Sequence, residues 1–214
     1  MKTWLQWLLF LGFTVVIVAS FITPAPQQQI GEASRILYYH VPQAMICFVA
    51  FAAAAFFGWR YLSTRSSVND SRSMVACEIG VLTCILATVT GSIFAKEAWG
   101  SFWNWDPRET SIFLLLLIYG AYFALRGSID EPERKARLSA VYAIFAFPPG
   151  LFLIFLAPRI MPSLHPTDTI IDSEMKPGMS PEVRMIFYPA VLLFLLLYFW
   201  MYQIRVKSTE LSTE

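Results

Sequence analysis

Residues 75–125 read VACEIGVLTCILATVTGSIFA (Val75–Ala95), KEAWGSFWNWDPRE (Lys96–Glu109) and TSIFLLLLIYGAYFAL (Thr110–Leu125). Two apolar runs flank a short segment that holds every charged residue of the stretch except Glu78. A helix crossing a hydrocarbon core needs about 20 mostly apolar residues. The stretch therefore reads as two membrane spans joined by a polar, tryptophan-rich interfacial segment. The second run is the shorter, and the Asp-Pro-Arg-Glu before it places the start of its helix within the interface. Working outward, four more runs qualify: Trp4–Ile22, Pro42–Leu62, Leu138–Ala157 and Met185–Ile204. The expected fold is all-α, a polytopic membrane protein of six transmembrane helices forming a single domain over residues 1–214.

Composition agrees with this reading. The chain is 57% hydrophobic and 14% charged, with mean hydropathy +0.55, whereas soluble domains carry about 25% charge. A net charge of +1 and a pI near 7.7 leave no general basic surface for nucleic acid. Cys47, Cys77 and Cys84 all lie inside apolar runs, so no disulfide framework is expected. The chain has no Cys-x-x-Cys-His, so it is not itself a c-type cytochrome. It has no phosphate-binding Gly-x-x-x-x-Gly-Lys-Ser/Thr loop either, so any ATP energy must come from a partner.

Sidedness follows from the basic residues. With the N-terminus inside, Lys2, Arg60, Arg65, Arg72, Arg126, Arg134, Lys135, Arg137, Arg205 and Lys207 are cytoplasmic, ten in all. Arg35, Lys96, Arg108, Arg159, Lys176 and Arg184 make six on the other side. Both termini are expected in the cytoplasm. The first apolar run is longer than the ~7–15 residues of a signal-peptide core and is read as a span. On the inner side, Ser63–Ser73 reads as a polar tether and Asp130–Arg137 as a short charged helix.

The chemistry-bearing residues collect in the outer connections. Trp99, Trp103 and Trp105 are three of seven tryptophans in the chain. An interfacial aromatic belt accounts well for Trp4, Trp7, Trp59 and Trp200, each near a span end, but poorly for this cluster. Trp99 and Trp103 are four apart and, in a helix, would share a face suited to a flat, aromatic, apolar ligand. Asp106-Pro107-Arg108-Glu109 carries an N-cap acceptor, a proline at the first helical position and a glutamate at the third, so helix capping is the first expectation for Asp106. Arg108 is free to meet an anionic group. The only two histidines, His40 and His165, bracket this segment and lie on its side. Each stands close before a proline, which disfavours helix in the preceding residue, so both are expected at helix breaks. Two imidazoles make a poor zinc site, but with an aromatic floor they outline a haem site. Arg35, Lys96, Arg108 and Arg159 are the cations available to its propionates, with nothing to choose among them. Met161, in the Pro158–Pro162 turn, is a lower-ranked competitor for the iron.

At this point the residues resemble a known group. Trp99 to Thr110 (WGSFWNWDPRET) is similar to the WWD motif of the haem-handling proteins of cytochrome c biogenesis. Six spans, one histidine pair and the His40-Val41-Pro42-x-Ala44 string most resemble the CcmC, or haem exporter protein C, branch. The resemblance extends over essentially the whole chain. It implies a subunit of an ABC transporter complex in the bacterial cytoplasmic (inner) membrane, with its site on the periplasmic face. It further implies haem b held by His40 and His165, with Trp99, Trp103, Trp105 and Asp106 as the platform, and delivery to the membrane-anchored haem chaperone CcmE. The implied partners are the ATP-binding CcmA, the permease CcmB, the small subunit CcmD and membrane lipid.

Three rival readings stand beside it. The Trp-Asn-Trp-Asp-Pro-Arg-Glu-Thr string reads closer to the CcsA and CcmF branches than to the usual Trp-Asp-x-Arg-Leu-Thr of CcmC, so a CcsA-like subunit joining haem directly to apocytochrome is an alternative. Those relatives are longer and carry a further pair of membrane histidines absent here. A membrane electron-transfer subunit would need histidine pairs within the spans. A cofactor-free permease would use a fifth span broken at Pro148-Pro149-Gly150 as its gate.

Overall fold

The computed structural model describes residues 3–27, 30–165 and 178–211. They form α1 (Thr3–Ile22), a 3-10 turn (Gly31–Ile36), α2 (Leu37–Thr64), α3 (Ser67–Trp99), α4 (Pro107–Gly127) and α5 (Pro132–Leu151). A wide π turn (Phe152–Leu156) then leads into the short α6 (Ala157–Ile160), and α7 (Pro181–Leu211) closes the chain. Among the described residues, six helical segments are long and apolar enough to cross a membrane. Each contains one of the six expected runs. Lys2, Lys176 and the proline that follows His165, used in the reading above, lie outside the described residues.

The helix at the centre is α2, which packs on α3, α5 and α7, while α3 also meets α4 and α7. In hydrocarbon the driving force between helices is close packing rather than water exclusion, and the interior reflects this. Ala54, Ala76, Ala143 and Ala146 sit with the buried Cys47, Cys77 and Cys84 where α2, α3, α4 and α5 meet. Phe51 lies flat on Tyr119, with ring centroids 3.4 Å apart. It also lies against Gly80, where a Cβ would come within 2.5 Å of the Phe51 ring. The missing side chain at Gly80 is what lets α3 close on α2. By contrast, α1 leans on α7 and exposes Trp4, Trp7, Phe10, Val15 and Phe21, a face suited to lipid.

The end of the bundle away from the tryptophan segment is held by charge. Arg126 forks onto Asp70 with two hydrogen bonds of 2.7 and 2.6 Å, tying α4 to α3. Arg205 of α7 does the same to Glu78 of α3 at 2.8 and 3.0 Å. The one acidic residue inside an expected span is thereby partnered.

Four local expectations are corrected. The tether expected at Ser63–Ser73 is largely helical, because α2 runs to Thr64 and α3 starts at Ser67, with Arg65 making the reversal at φ 56°. The charged segment Asp130–Arg137 is not a separate helix; α5 begins at Pro132, a favourable first helical residue. His40 does not stand at a break, since α2 starts at Leu37 and continues through the buried Pro42. The lost backbone bond is tolerated because Tyr38, Ile46 and Cys47 on the same helix are fully packed against neighbours. Finally, α5 passes unbroken through Pro148-Pro149-Gly150, and the disturbance comes later, in the π turn. Pro149 and Pro158 each remove an N–H from the ladder on either side of that turn, an identifiable cause for the wider winding.

Candidate haem-binding site

The C-terminus of α1 and α3, the N-terminus of α2, α4 and α7, and the end of α6 all fall at one end of the bundle. Here α3 stops at Gly100, a left-handed residue (φ 81°) whose N–H bonds the Lys96 carbonyl at 3.0 Å. Glycine is favoured at that position because a Cβ is penalised there. Trp99 and Trp103 consequently do not share a helical face; Trp103 belongs to the irregular segment between α3 and α4.

That segment is folded on its own hydrogen bonds. Ser101 Oγ donates to the Trp103 carbonyl at 3.0 Å, and the Asn104 amide side chain donates to the Ser101 carbonyl at 3.1 Å. Glu109 Oε2 accepts the backbone N–H groups of Asn104 (2.7 Å) and Asp106 (3.2 Å). Asp106 in turn accepts the Arg108 N–H at 2.9 Å, completing a capping box at the start of α4. The expected capping role is thus present. Trp105 is left in the left-handed region at φ 56° with 70% of its surface exposed. Such a conformation in a bulky residue is held only when its surroundings over-determine it. Trp103 meets Trp105 edge-on at 5.9 Å and Phe113 at 6.3 Å.

Asp106 does more than cap. Its Oδ2 accepts the Leu164 N–H at 2.6 Å and the Ser163 hydroxyl at 2.9 Å, and its Oδ1 lies 2.9 Å from His165 Nδ1. One buried carboxylate therefore docks the segment after α6 onto the tip of α4. Burial pushes the Asp106 carboxyl up, but the Arg108 and Leu164 amides and the Ser163 hydroxyl outweigh it and hold it below the usual range. An ionised carboxylate can only accept, so His165 carries its proton on Nδ1 and keeps a lone pair on Nε2. Burial, partly opposed by Asp106, also pushes the His165 imidazole below its ordinary value, which favours the neutral ring. The Trp99 ring stands edge-on to His165 at 4.6 Å and is itself backed by Phe94.

His40 is half-buried near the start of α2, across from the end of α3. Its Nδ1 lies 3.0 Å from Thr90 Oγ1, and that hydroxyl donates to the Leu86 carbonyl at 2.7 Å. A Thr90 hydroxyl that donates to Leu86 accepts from His40 Nδ1, and the Ala87 carbonyl is a second partner of the ring. Gly91 makes room for the ring, since a Cβ there would lie 3.0 Å from His40 Cε1. His165 and Arg108 are both within electrostatic reach of His40. Both imidazoles have Nδ1 engaged and lie at this end of the bundle.

The four candidate cations separate. Arg35 is consumed: it is buried, paired with Glu32 at 2.6 Å and donates to the carbonyls of Ser20 and Thr23 at the end of α1. Lys96 donates to the Gly100 carbonyl at 2.9 Å and stands over Phe102. Arg159 turns back to the Phe155 carbonyl. The Arg108 side chain makes no hydrogen bond with any described residue, and Arg159 and Asp106 are the charged groups that act on it. Met161 is exposed beyond α6.

The family model for heme exporter protein C, CcmC, matches residues 1–214. The chain belongs to the CcmC family. Similar proteins include heme exporter protein C of Bradyrhizobium diazoefficiens, 32% identical over 136 residues, covering 61% of this chain and 51% of the relative. Heme exporter protein C of Escherichia coli K12 is 30% identical over 164 residues, covering 75% and 65% respectively. A ccmC-like mitochondrial cytochrome c biosynthesis protein of Marchantia polymorpha is 36% identical over 133 residues, 62% and 55%. The matched part spans about half the length of the first of these relatives. Membership settles the branch: the resemblance to CcsA and CcmF in the tryptophan segment is secondary to a CcmC match along the whole chain.

Thr90, Gly91 and Ser163 were not singled out from the sequence. The aliphatic run around Thr90-Gly91 gives no sign that one hydroxyl and one missing side chain face a histidine fifty residues earlier. Gly100 was a legible signal: a glycine just after a helical run marks its end.

Proposed function

We propose that this CcmC-family protein takes up haem b as cargo at the periplasmic face of the bacterial inner membrane and delivers it for cytochrome c maturation. His40 and His165 are the axial ligands, each through Nε2. The observation that supports this most is the shared contact: Thr90 and Asp106 lie 3.0 and 2.9 Å from the two Nδ1 atoms, an arrangement that leaves Nε2 for the iron. Trp99 steadies the His165 ring, while Trp103 and Trp105 offer an aromatic corner at the macrocycle edge. Arg108, whose side chain makes no hydrogen bond with any described residue, takes a propionate, a charge-assisted contact for which a guanidinium is well shaped. The recipient is the membrane-anchored chaperone CcmE, and CcmA, CcmB and CcmD complete the ABC-type assembly. This chain contributes the haem platform, and the ATP-dependent work falls to its partners.

The test is the visible spectrum of detergent-purified protein carrying haem. Two imidazoles give a six-coordinate low-spin spectrum. His40→Ala and His165→Ala each convert it to high-spin or lose haem, and the double substitution abolishes stable binding while the protein remains inserted. An unchanged low-spin spectrum in the His165→Ala protein would refute the paired-ligand reading.

A further inference from the structure

Trp105 leaves 70% of its surface exposed, and the ring it meets among the described residues is Trp103, edge-on at 5.9 Å. Side-chain packing therefore fixes its direction only weakly. We infer that Glu109 fixes it instead: its carboxylate is the positioning residue of the tryptophan platform and acts on Trp105 through the backbone on either side. The inference rests on the platform proposed above.

Glu109 Oε2 accepts two amides, from Asn104 at 2.7 Å and from Asp106 at 3.2 Å. These are the residues immediately before and after Trp105. Amides two positions apart converge on one anionic oxygen when the chain between them bends into a concave nest, and a left-handed residue makes that bend. Trp105 is that residue, at φ 56°. Among the described residues, the other non-glycine with positive φ is Arg65, which closes α2 as a left-handed cap. Trp105 closes no helix. Its conformation is disfavoured for a bulky side chain and persists because the surrounding chain is held. The Thr110 hydroxyl, 3.3 Å from the Trp105 carbonyl, braces it further.

Helix α4 has other support for its start. Pro107 occupies the first position, Asp106 caps the Arg108 amide at 2.9 Å, and the Thr110 amide bonds the Asp106 carbonyl at 2.8 Å. The Asp106 carboxylate is held independently by the Ser163 hydroxyl and the Leu164 amide. Glu109 is only 8% exposed, and its Oε1 has no hydrogen-bond partner among the described residues. Both hydrogen bonds of this buried carboxylate thus go to the two flanks of one tryptophan. A buried charge is expensive, and what this one maintains is the outward set of the Trp105 ring.

Fluorine NMR of detergent-purified protein carrying fluorotryptophan tests this, with Trp105→Phe identifying the Trp105 signal among the seven tryptophans. Glu109→Met keeps a straight, helix-favouring side chain but offers the amides no acceptor. In haem-free protein it should shift the Trp105 signal and leave that of Trp200 in place. Glu109→Gln, whose carbonyl oxygen still accepts both amides, should restore the parent position. If Glu109→Met does not insert, Glu109→Asp, which keeps the charge but is one methylene too short, carries the comparison. Haem retention should fall severalfold in Glu109→Met with the low-spin spectrum preserved. Trp105→Gly, which adopts positive φ freely but has no ring, should lose as much, and adding Glu109→Met to it should cost nothing more. An unmoved Trp105 signal, fully additive losses, or conversion to a high-spin spectrum in Glu109→Met would overturn the assignment. A Trp105 signal that ignores haem loading in the parent protein would instead remove Trp105 from the platform, and this inference with it.

Discussion

Asp106 Oδ1 sits 2.9 Å from His165 Nδ1 and 2.9 Å from the backbone nitrogen of Arg108. The atom that starts helix α4 is thus the atom that orients the histidine arriving from α6. Helix initiation and imidazole orientation are a single piece of geometry, with a measurable consequence for each.

Asp106→Asn retains an accepted capping residue, so α4 still starts correctly and the protein inserts. The amide is a weaker partner for His165, and haem affinity is expected to fall about tenfold or more. Asp106→Ala loses the cap as well, worth about 1 kcal/mol, and leaves the Leu164 amide without its acceptor. A haem titration combined with thermal unfolding in detergent separates the two: loss of haem alone for asparagine, loss of haem and of stability for alanine. Equal stability in both variants would show that the cap is dispensable.

Gly91→Ala places a methyl 3.0 Å from His40 Cε1, so the ring must shift by a few tenths of an ångström. Helix α3 itself should gain from the change, since alanine is favoured over glycine by about 1 kcal/mol within a helix. A protein of equal or greater stability with weakened haem binding is expected. Gly120→Ala in α4, where nothing lies within 4 Å of the new methyl, serves as the comparison and should bind haem normally. Matching behaviour of the two variants would remove Gly91 from the site.

Trp103→Ala removes the ring that meets both Trp105 and Phe113. Aromatic contact is worth about 0.5–1.5 kcal/mol beyond area burial, so haem retention should drop severalfold. Trp200, packed with the α1–α7 cluster, should affect thermal stability and leave haem retention largely unchanged. Similar losses from the two substitutions would indicate general destabilisation instead of a platform.

Much of the fold is readable from run length alone, because a span must be apolar over about 20 residues whatever its neighbours do. The capping box at Asp106 and Glu109 was readable for a related reason: its partners lie within one helical turn. What escaped reading depends on distant contacts. Pro42 marks a break by its local preference, yet α2 continues through it because Tyr38 and Cys47 are fully enclosed. The spacing of Trp99 and Trp103 suggested one helical face, and Gly100 between them ends the helix. The pairings of His40 with Thr90 and of His165 with Asp106 join residues fifty or more positions apart, and periodicity carries no information at that range.

Sidedness is open to a direct measurement. Cys47, Cys77 and Cys84 are all buried, so the parent protein should give little background with an impermeant maleimide in intact cells. Ser101 and Ser67 are exposed and stand at opposite ends of α3. With the haem site outside, Ser101→Cys labels in intact cells and Ser67→Cys only after permeabilisation. The reverse pattern would invert the orientation.

The π turn at Phe152–Leu156 also sets the compass bearing of everything that follows it. Each residue of an α-helix turns the chain by about 100°, and the wider winding absorbs one residue without the corresponding rotation. α6 leaves the turn against α4, and Ser163, Leu164 and His165 arrive at Asp106 as a result. Deleting a single residue from Phe152–Leu156 would tighten the turn to ordinary helix and leave both spans and their hydropathy intact. It would nevertheless swing the histidine off its carboxylate. Length variation within those five positions is therefore far less tolerable than substitution among them, and a deletion there should silence haem binding in a protein that still inserts normally.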